Sequence, residues 1–178
     1  TIFNQMPVVF ALGIPIGLAK KANCRAALEA FLIYMAFNYF INGFLTAFPS
    51  FGVDVTPALK LPTGLTRIAG VITLDTSIIG SILIASIAVW IHNKYFDKKL
   101  PELLGIFQGT TFVIIIGFLL MIPIAYLTAL LWPKVQLGIV ALQGFLKTSG
   151  VIGVFSYTFL ERILIPTGLH HFMYGPFM

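Results

Sequence analysis

The chain has 178 residues, of which 58% are hydrophobic and only 10% charged, and its mean hydropathy is +0.98. Soluble domains carry about 25% charged residues, so this chain lacks the charge to build a polar exterior. The net charge of +5 does not read as a nucleic-acid surface, because the basic residues sit in short clusters between apolar runs, as Lys and Arg do in cytoplasmic loops of membrane proteins. The single Cys24 excludes a disulfide framework.

A hydrocarbon core about 30 Å thick takes about 20 mostly apolar residues per helix, and four stretches meet that requirement. The first runs from Ile2 to Ala19 without a charge, with Pro7 and Pro15 predicting a kink. The second runs from Ala26 to Phe48, with Glu29 near its start and Asn38 and Asn42 inside. The third, Ile68 to Ile91, has Asp75 as its one charge and Trp90 at its exit. The fourth, Thr110 to Trp132, is uncharged and is expected to end at Trp132-Pro133. Both tryptophans fall where an interfacial aromatic belt places them. The architecture predicted is all-α, a polytopic transmembrane helical bundle.

The loops alternate in charge. Lys20, Lys21 and Arg25 lie between the first two spans, and Lys94, Lys98 and Lys99 between the last two. The intervening loop sets Lys60 and Arg67 against Asp54. The positive-inside rule places the first and third loops in the cytoplasm. After Lys134 the pattern changes: Val135 to Phe145 is short for a span, Lys147 interrupts it, and Pro166 and Gly168 break the next apolar run. Short, interrupted apolar segments point to a transporter's binding region. The expected division is therefore residues 1–134 as about four spans and residues 135–178 as the start of a substrate-binding half. Beginning at Thr1 without a signal-peptide pattern and stopping at Met178 within an apolar run, the sequence reads as a fragment of a longer protein.

The densest chemistry lies in Glu161-Arg162-Ile163-Leu164-Ile165-Pro166-Thr167-Gly168-Leu169-His170-His171. Ionisable groups at membrane depth are expensive, so such a cluster is a functional-site hypothesis by default. Pro166 ends or kinks a helix near Ile165, and freed backbone groups are tolerated only against protein or a water-filled cavity. The pattern predicts a cavity lined by Thr167 and the imidazoles of His170 and His171. Arg162 contributes a fixed fork of donors. Imidazole both donates and accepts hydrogen bonds and takes up a proton near neutrality. The bland alternative keeps Glu161 and Arg162 at a membrane surface, with the histidines at a helix end. A third reading makes the histidines haem or metal ligands, but adjacent helical side chains point about 100° apart. No third ligand is spaced for it, since His92 reads as a loop residue beside Asn93 and Lys94. No metal or cofactor is expected.

The remaining candidates are weaker. Asp75, in Leu74-Asp75-Thr76-Ser77, is either a buried functional acid or a helix cap, with the cap slightly favoured. Asn38 and Asn42 share one helix face and suit gluing helices together. Cys24 reads as inert.

The Glu161–His171 string closely resembles the signature of the membrane-spanning enzyme IIC subunit of the bacterial phosphotransferase system, glucose superfamily. Leu74-Asp75-Thr76, Trp90-Ile91-His92-Asn93-Lys94-Tyr95-Phe96, Lys99-Leu100-Pro101-Glu102-Leu103-Leu104-Gly105 and Gly17-Leu18-Ala19-Lys20-Lys21 extend the resemblance over nearly the whole chain. Pro166-Thr167-Gly168-Leu169-His170-His171-Phe172-Met173-Tyr174-Gly175-Pro176-Phe177 looks most like the maltose and α-glucoside branch. The resemblance implies a homodimeric multi-pass protein of the bacterial inner membrane that imports a sugar, maltose or another α-glucoside, while a phosphocysteine IIB domain phosphorylates it. Arg162 and His170 fall on the family's sugar contacts, with Thr167 and His171 beside them. The family's catalytic glutamate would lie beyond Met178, so no catalytic residue is expected within the chain, and the fragment alone is expected to be inactive. A glucose-specific enzyme IIC and a non-phosphorylating transporter are the alternatives.

Overall fold

The computed structural model describes residues 5–48, 64–99 and 101–148, together with residues 155, 158, 159, 162 and 163. The elements in chain order are α1 (Met6–Leu18), α2 (Asn23–Ala47), β1 (Leu65–Ile68), β2 (Val71–Leu74), α3 (Ser77–Tyr95), a 3₁₀ turn (Glu102–Phe107) and α4 (Thr110–Thr148). The helical bundle expected from composition is present, with a small hairpin added to it. Among the described residues, α2, α3 and the Thr110–Gly138 part of α4 are long and apolar enough to cross a membrane. Helix α1 has 13 described residues, about 20 Å at 1.5 Å per residue, and residues 2–4 of the stretch expected to span, Ile2–Ala19, lie outside the described residues.

Helix α2 is the central element. Its Ala30, Ile33, Tyr34, Phe37 and Ile41 are buried against Ile84 and Ala88 of α3 and Met121 and Ala125 of α4. Helices without a hydrophobic driving force between them associate through small residues that let backbones approach, and Gly117 of α4 is such a site. A β-carbon added there would overlap the Ile33 side chain. Leu83, Leu119, Leu127 and Leu131 are at least half exposed, as suits a surface solvated by acyl chains.

Three boundaries differ from the sequence reading. The third span does not begin at Ile68, because residues 65–74 form an antiparallel hairpin with Ile68 opposite Val71 and Thr66 opposite Thr73. Its two-residue turn, Ala69-Gly70, has φ of 46° and 88°, the pair of positive values that a type I′ hairpin turn requires. The run Ile68–Leu74 is β-branched and apolar, and it suits a half-buried strand as well as it suits a helix. Helix α3 then starts at Ser77, where Asp75 Oδ1 accepts from the Ser77 backbone N–H at 3.0 Å and from its hydroxyl at 3.1 Å. The N-cap position itself belongs to Thr76, which makes no side-chain cap bond, so Asp75 closes a turn one residue ahead of the cap expected of it.

The fourth helix does not end at Trp132-Pro133. Helix α4 continues for 39 residues to Thr148, with both Pro123 and Pro133 inside it. At about 58 Å it is far longer than a bilayer core is thick. Proline deletes one helix hydrogen bond, and neighbouring groups can compensate in a membrane bundle. Here Trp132 Nε1 donates to the Asp75 carbonyl at 2.8 Å and Gln136 donates to the Gly64 carbonyl at 2.9 Å, holding both flanks of Pro133 against the hairpin.

The third difference is His92. It lies on α3, not in a loop, and is 1% exposed.

Candidate functional site

Arg162 and Ile163 are helical and exposed. Thr167, His170 and His171 fall outside the described residues, as do Glu161, Pro166 and Gly168, so the described structure does not bring the signature together. Upstream, Phe155 and Phe159 stack at 6.4 Å between ring centroids, as side chains one helical turn apart do.

The described bundle has two ends, each built by side chains distant in sequence. At one end the hairpin is gripped from three helices. Asn42 of α2 donates to the Ile72 carbonyl at 2.7 Å. Gln5, beside α1, donates to the Arg67 carbonyl at 3.2 Å and accepts from the Ala69 N–H at 3.3 Å. Trp132 and Gln136 of α4 complete the grip. Asn42 therefore serves the gluing role expected of it, toward a strand rather than a helix. Asn38 instead donates to the Tyr34 carbonyl of its own helix at 2.8 Å.

At the other end lies the feature that the sequence reading missed. His92 Nδ1 is 2.6 Å from Glu29 Oε2, and the two side chains are 2% and 0% exposed. The opposite ring nitrogen, Nε2, is 2.8 Å from the Lys21 carbonyl oxygen. A carbonyl only accepts, so Nε2 carries a hydrogen. The Nδ1–Oε2 contact then holds one proton, placed either on the imidazole facing a carboxylate or on the carboxyl facing a neutral imidazole. In both states the pair is neutral overall, which is what burial of two ionisable groups requires. The signal was present in the sequence. Glu29 and His92 are lone ionisable groups near the ends of two apolar runs, and each needs a partner at that depth.

Around this pair the α1–α2 loop is stitched to the end of α3. Lys20 N–H donates to Asn93 Oδ1 at 2.9 Å, and Lys21 Nζ pairs with Asp97 at 2.6 Å. Asn23 donates back to the Ile16 carbonyl at 2.7 Å, across a connection where Ala22 adopts φ of 48°. The two basic loops share one end of the bundle, and the hairpin occupies the other.

A groove of about 160 Å³ between α2, α3 and α4 is lined by Phe37, Ile79, Leu83, Leu127, Leu131 and Trp132, with Thr76 and Thr128 as its hydroxyls. Polyol recognition needs convergent donors and acceptors, and this lining is too apolar to supply them. Among the described residues no three His, Cys, Asp or Glu side chains converge as a metal site would need.

Comparison with known proteins gives a match over the whole chain. The family model described as "Phosphotransferase system, EIIC" matches residues 1–178. The chain is 60% identical to the alpha-glucoside-specific EIICB component of the PTS system of Fusobacterium mortiferum, over 100% of this chain and 34% of that protein. It is 59% identical to the maltose-specific EIICB component of Bacillus subtilis, with the same coverage of both. The glucose-specific EIICBA component of Staphylococcus carnosus is 36% identical over 99% of this chain and 25% of that protein. The chain thus spans about a third of the length of the α-glucoside and maltose relatives it matches.

Proposed function

The chain belongs to the EIIC family of the phosphotransferase system, a family of integral membrane components, and from that premise we propose that it is part of a permease importing maltose or another α-glucoside with coupled phosphorylation. The observation that carries the choice of sugar is the identity of 59–60% to relatives named for maltose and α-glucoside, against 36% to one named for glucose. In this reading residues 1–134 form the oligomerisation half of a homodimer and residues 135–178 open the substrate half. Because α4 runs unbroken through that boundary, the two halves would share one rigid rod.

The chemistry assigned to the complete protein is transfer from a phosphocysteine on a IIB domain to a sugar hydroxyl. The hydroxyl oxygen forms a bond to phosphorus, the S–P bond breaks, and the hydroxyl proton passes to a base. In-line attack needs the hydroxyl held and its proton accepted. This chain's part is holding. Arg162 binds ring hydroxyls through its planar fork, His170 orients a hydroxyl, and Thr167 and His171 line the same cavity. The base is supplied from outside residues 1–178.

The test uses the purified full-length protein with phosphoenolpyruvate and the soluble phosphocarriers. Maltose and a methyl α-glucoside should be phosphorylated at limiting concentration, and glucose much more slowly. Preferential phosphorylation of glucose would overturn the assignment of the sugar, and phosphorylation of none of them would overturn the group transfer.

A further inference from the structure

The signature and the buried Glu29–His92 pair leave one cluster without a role. Trp90 on the outer face of α3 is 55% exposed. Lys94, one helical turn further on, folds back so that its Nζ sits 4.7 Å from the Trp90 ring centroid and 5.5 Å from that of Tyr95. Lys98 brings a second ammonium to 4.8 Å from the same Tyr95 ring. An aromatic face attracts a cation without neutralising it, so two full positive charges converge on one phenol ring. Two carboxylates at this end are engaged elsewhere: Asp97 pairs with Lys21, and Glu29 is buried against His92. Among the described residues neither lysine has an ion-pair partner. The cluster is also held in shape. Tyr95 packs edge-on against Phe112 at 6.1 Å, Asn93 is tied to Lys20, and His92 anchors the last turn of the helix from inside.

We propose that Trp90, Lys94, Tyr95 and Lys98 form a binding site for the phosphate of an anionic phospholipid, of the phosphatidylglycerol type, in the leaflet that this end of the bundle faces. An anion drawn to the two ammoniums offsets the positive charge that the rings leave unneutralised. The direction of Lys94 selects a lipid over a soluble acidic partner. Its ammonium leans back over Trp90, along the wall of a membrane-spanning helix, instead of extending away from the bilayer. Interfacial tryptophan sits at headgroup level, so the charge is presented at the height of the lipid phosphate. Basic side chains close to the surface favour anionic lipids, and the aromatic floor fixes where on the surface this occurs.

The full-length protein in detergent is titrated with phosphatidylglycerol and phosphatidylcholine of identical acyl chains, and bound lipid is counted by native mass spectrometry. Phosphatidylglycerol should be retained preferentially. Lys94→Gln/Lys98→Gln should weaken its binding roughly thirtyfold, while Lys94→Arg/Lys98→Arg keeps it. Lys20→Gln/Arg25→Gln, which removes two charges from the same end but away from the rings, should leave occupancy unchanged. Inorganic phosphate in large excess should not displace the lipid. Equal losses from the two glutamine pairs would reduce the site to diffuse surface charge and overturn the proposal. Equal retention of the two lipids, or displacement by free phosphate, would overturn it as well.

Discussion

Removing His92 alone should harm the fold more than removing both members of its pair. In His92→Leu the Glu29 side chain, 0% exposed, loses the partner of Oε2. An uncompensated buried charge costs about 3–5 kcal/mol, and loss of the Nε2 bond to the Lys21 carbonyl adds about 1 kcal/mol. Against a typical total stability of about 5–15 kcal/mol, that is a severe defect. Glu29→Leu leaves an imidazole able to stay neutral and still bonded to Lys21, so it should cost less, about 1–3 kcal/mol. The double variant Glu29→Leu/His92→Leu removes both polar groups and should be closer to the parent than His92→Leu is, because an apolar replacement of a buried pair is often neutral. The assay is the unfolding midpoint of purified full-length protein in detergent across the double-mutant cycle. Strictly additive single effects, or a cost below about 1 kcal/mol for His92→Leu, would refute the reasoning, because either would mean that the pair carries no coupling.

Gly117→Ala should destabilise by about 1–3 kcal/mol because its β-carbon overlaps Ile33, as overpacking does; Gly13→Ala, where a β-carbon meets nothing within 4 Å, should be neutral or stabilising in the same unfolding assay. In a Cys24→Ser background, cysteines placed at Asn23 and Asp97 should both resist a membrane-impermeant thiol reagent applied to intact cells, and labelling of either from outside would reverse the assigned orientation. In the full-length protein His170→Ala should weaken α-glucoside binding by roughly 1–3 kcal/mol and His171→Ala by less, measured by calorimetric titration; equal, mild effects would make the pair structural.

Much of the fold is legible in the sequence because membrane spans declare themselves by length and hydropathy. Helices α2 and α4 begin within a few residues of where the apolar runs do, and the alternation of basic loops matches the two ends of the bundle. The misses share a cause: a uniformly apolar string carries no period. Ile68–Leu74 has no polar face to distinguish strand from helix, and the turn that folds it uses Ala69, where an asparagine or glycine would have signalled a positive φ. Pro133 reads as a stop because the contacts that carry the helix past it, from Trp132 and Gln136 to the hairpin, join residues 57 and 72 positions apart. The Glu29–His92 pair is likewise a contact across 63 residues, visible in sequence only as two lone groups in need of partners. For the site the balance is different. Arg162, Thr167, His170 and His171 stand out by their cost within an apolar chain and by the signature they form. Arg162 alone lies among the described residues.

The chemical form in which the sugar arrives separates group translocation from plain transport. Right-side-out vesicles carrying the full-length protein, loaded with phosphoenolpyruvate and the soluble phosphocarriers, are given labelled maltose, and the lumenal product is identified by mass. Maltose phosphate should accumulate, and Arg162→Lys, which keeps the charge but loses the planar fork, should reach the membrane normally yet accumulate far less. Free maltose accumulating at the same rate with or without phosphoenolpyruvate would contradict the account.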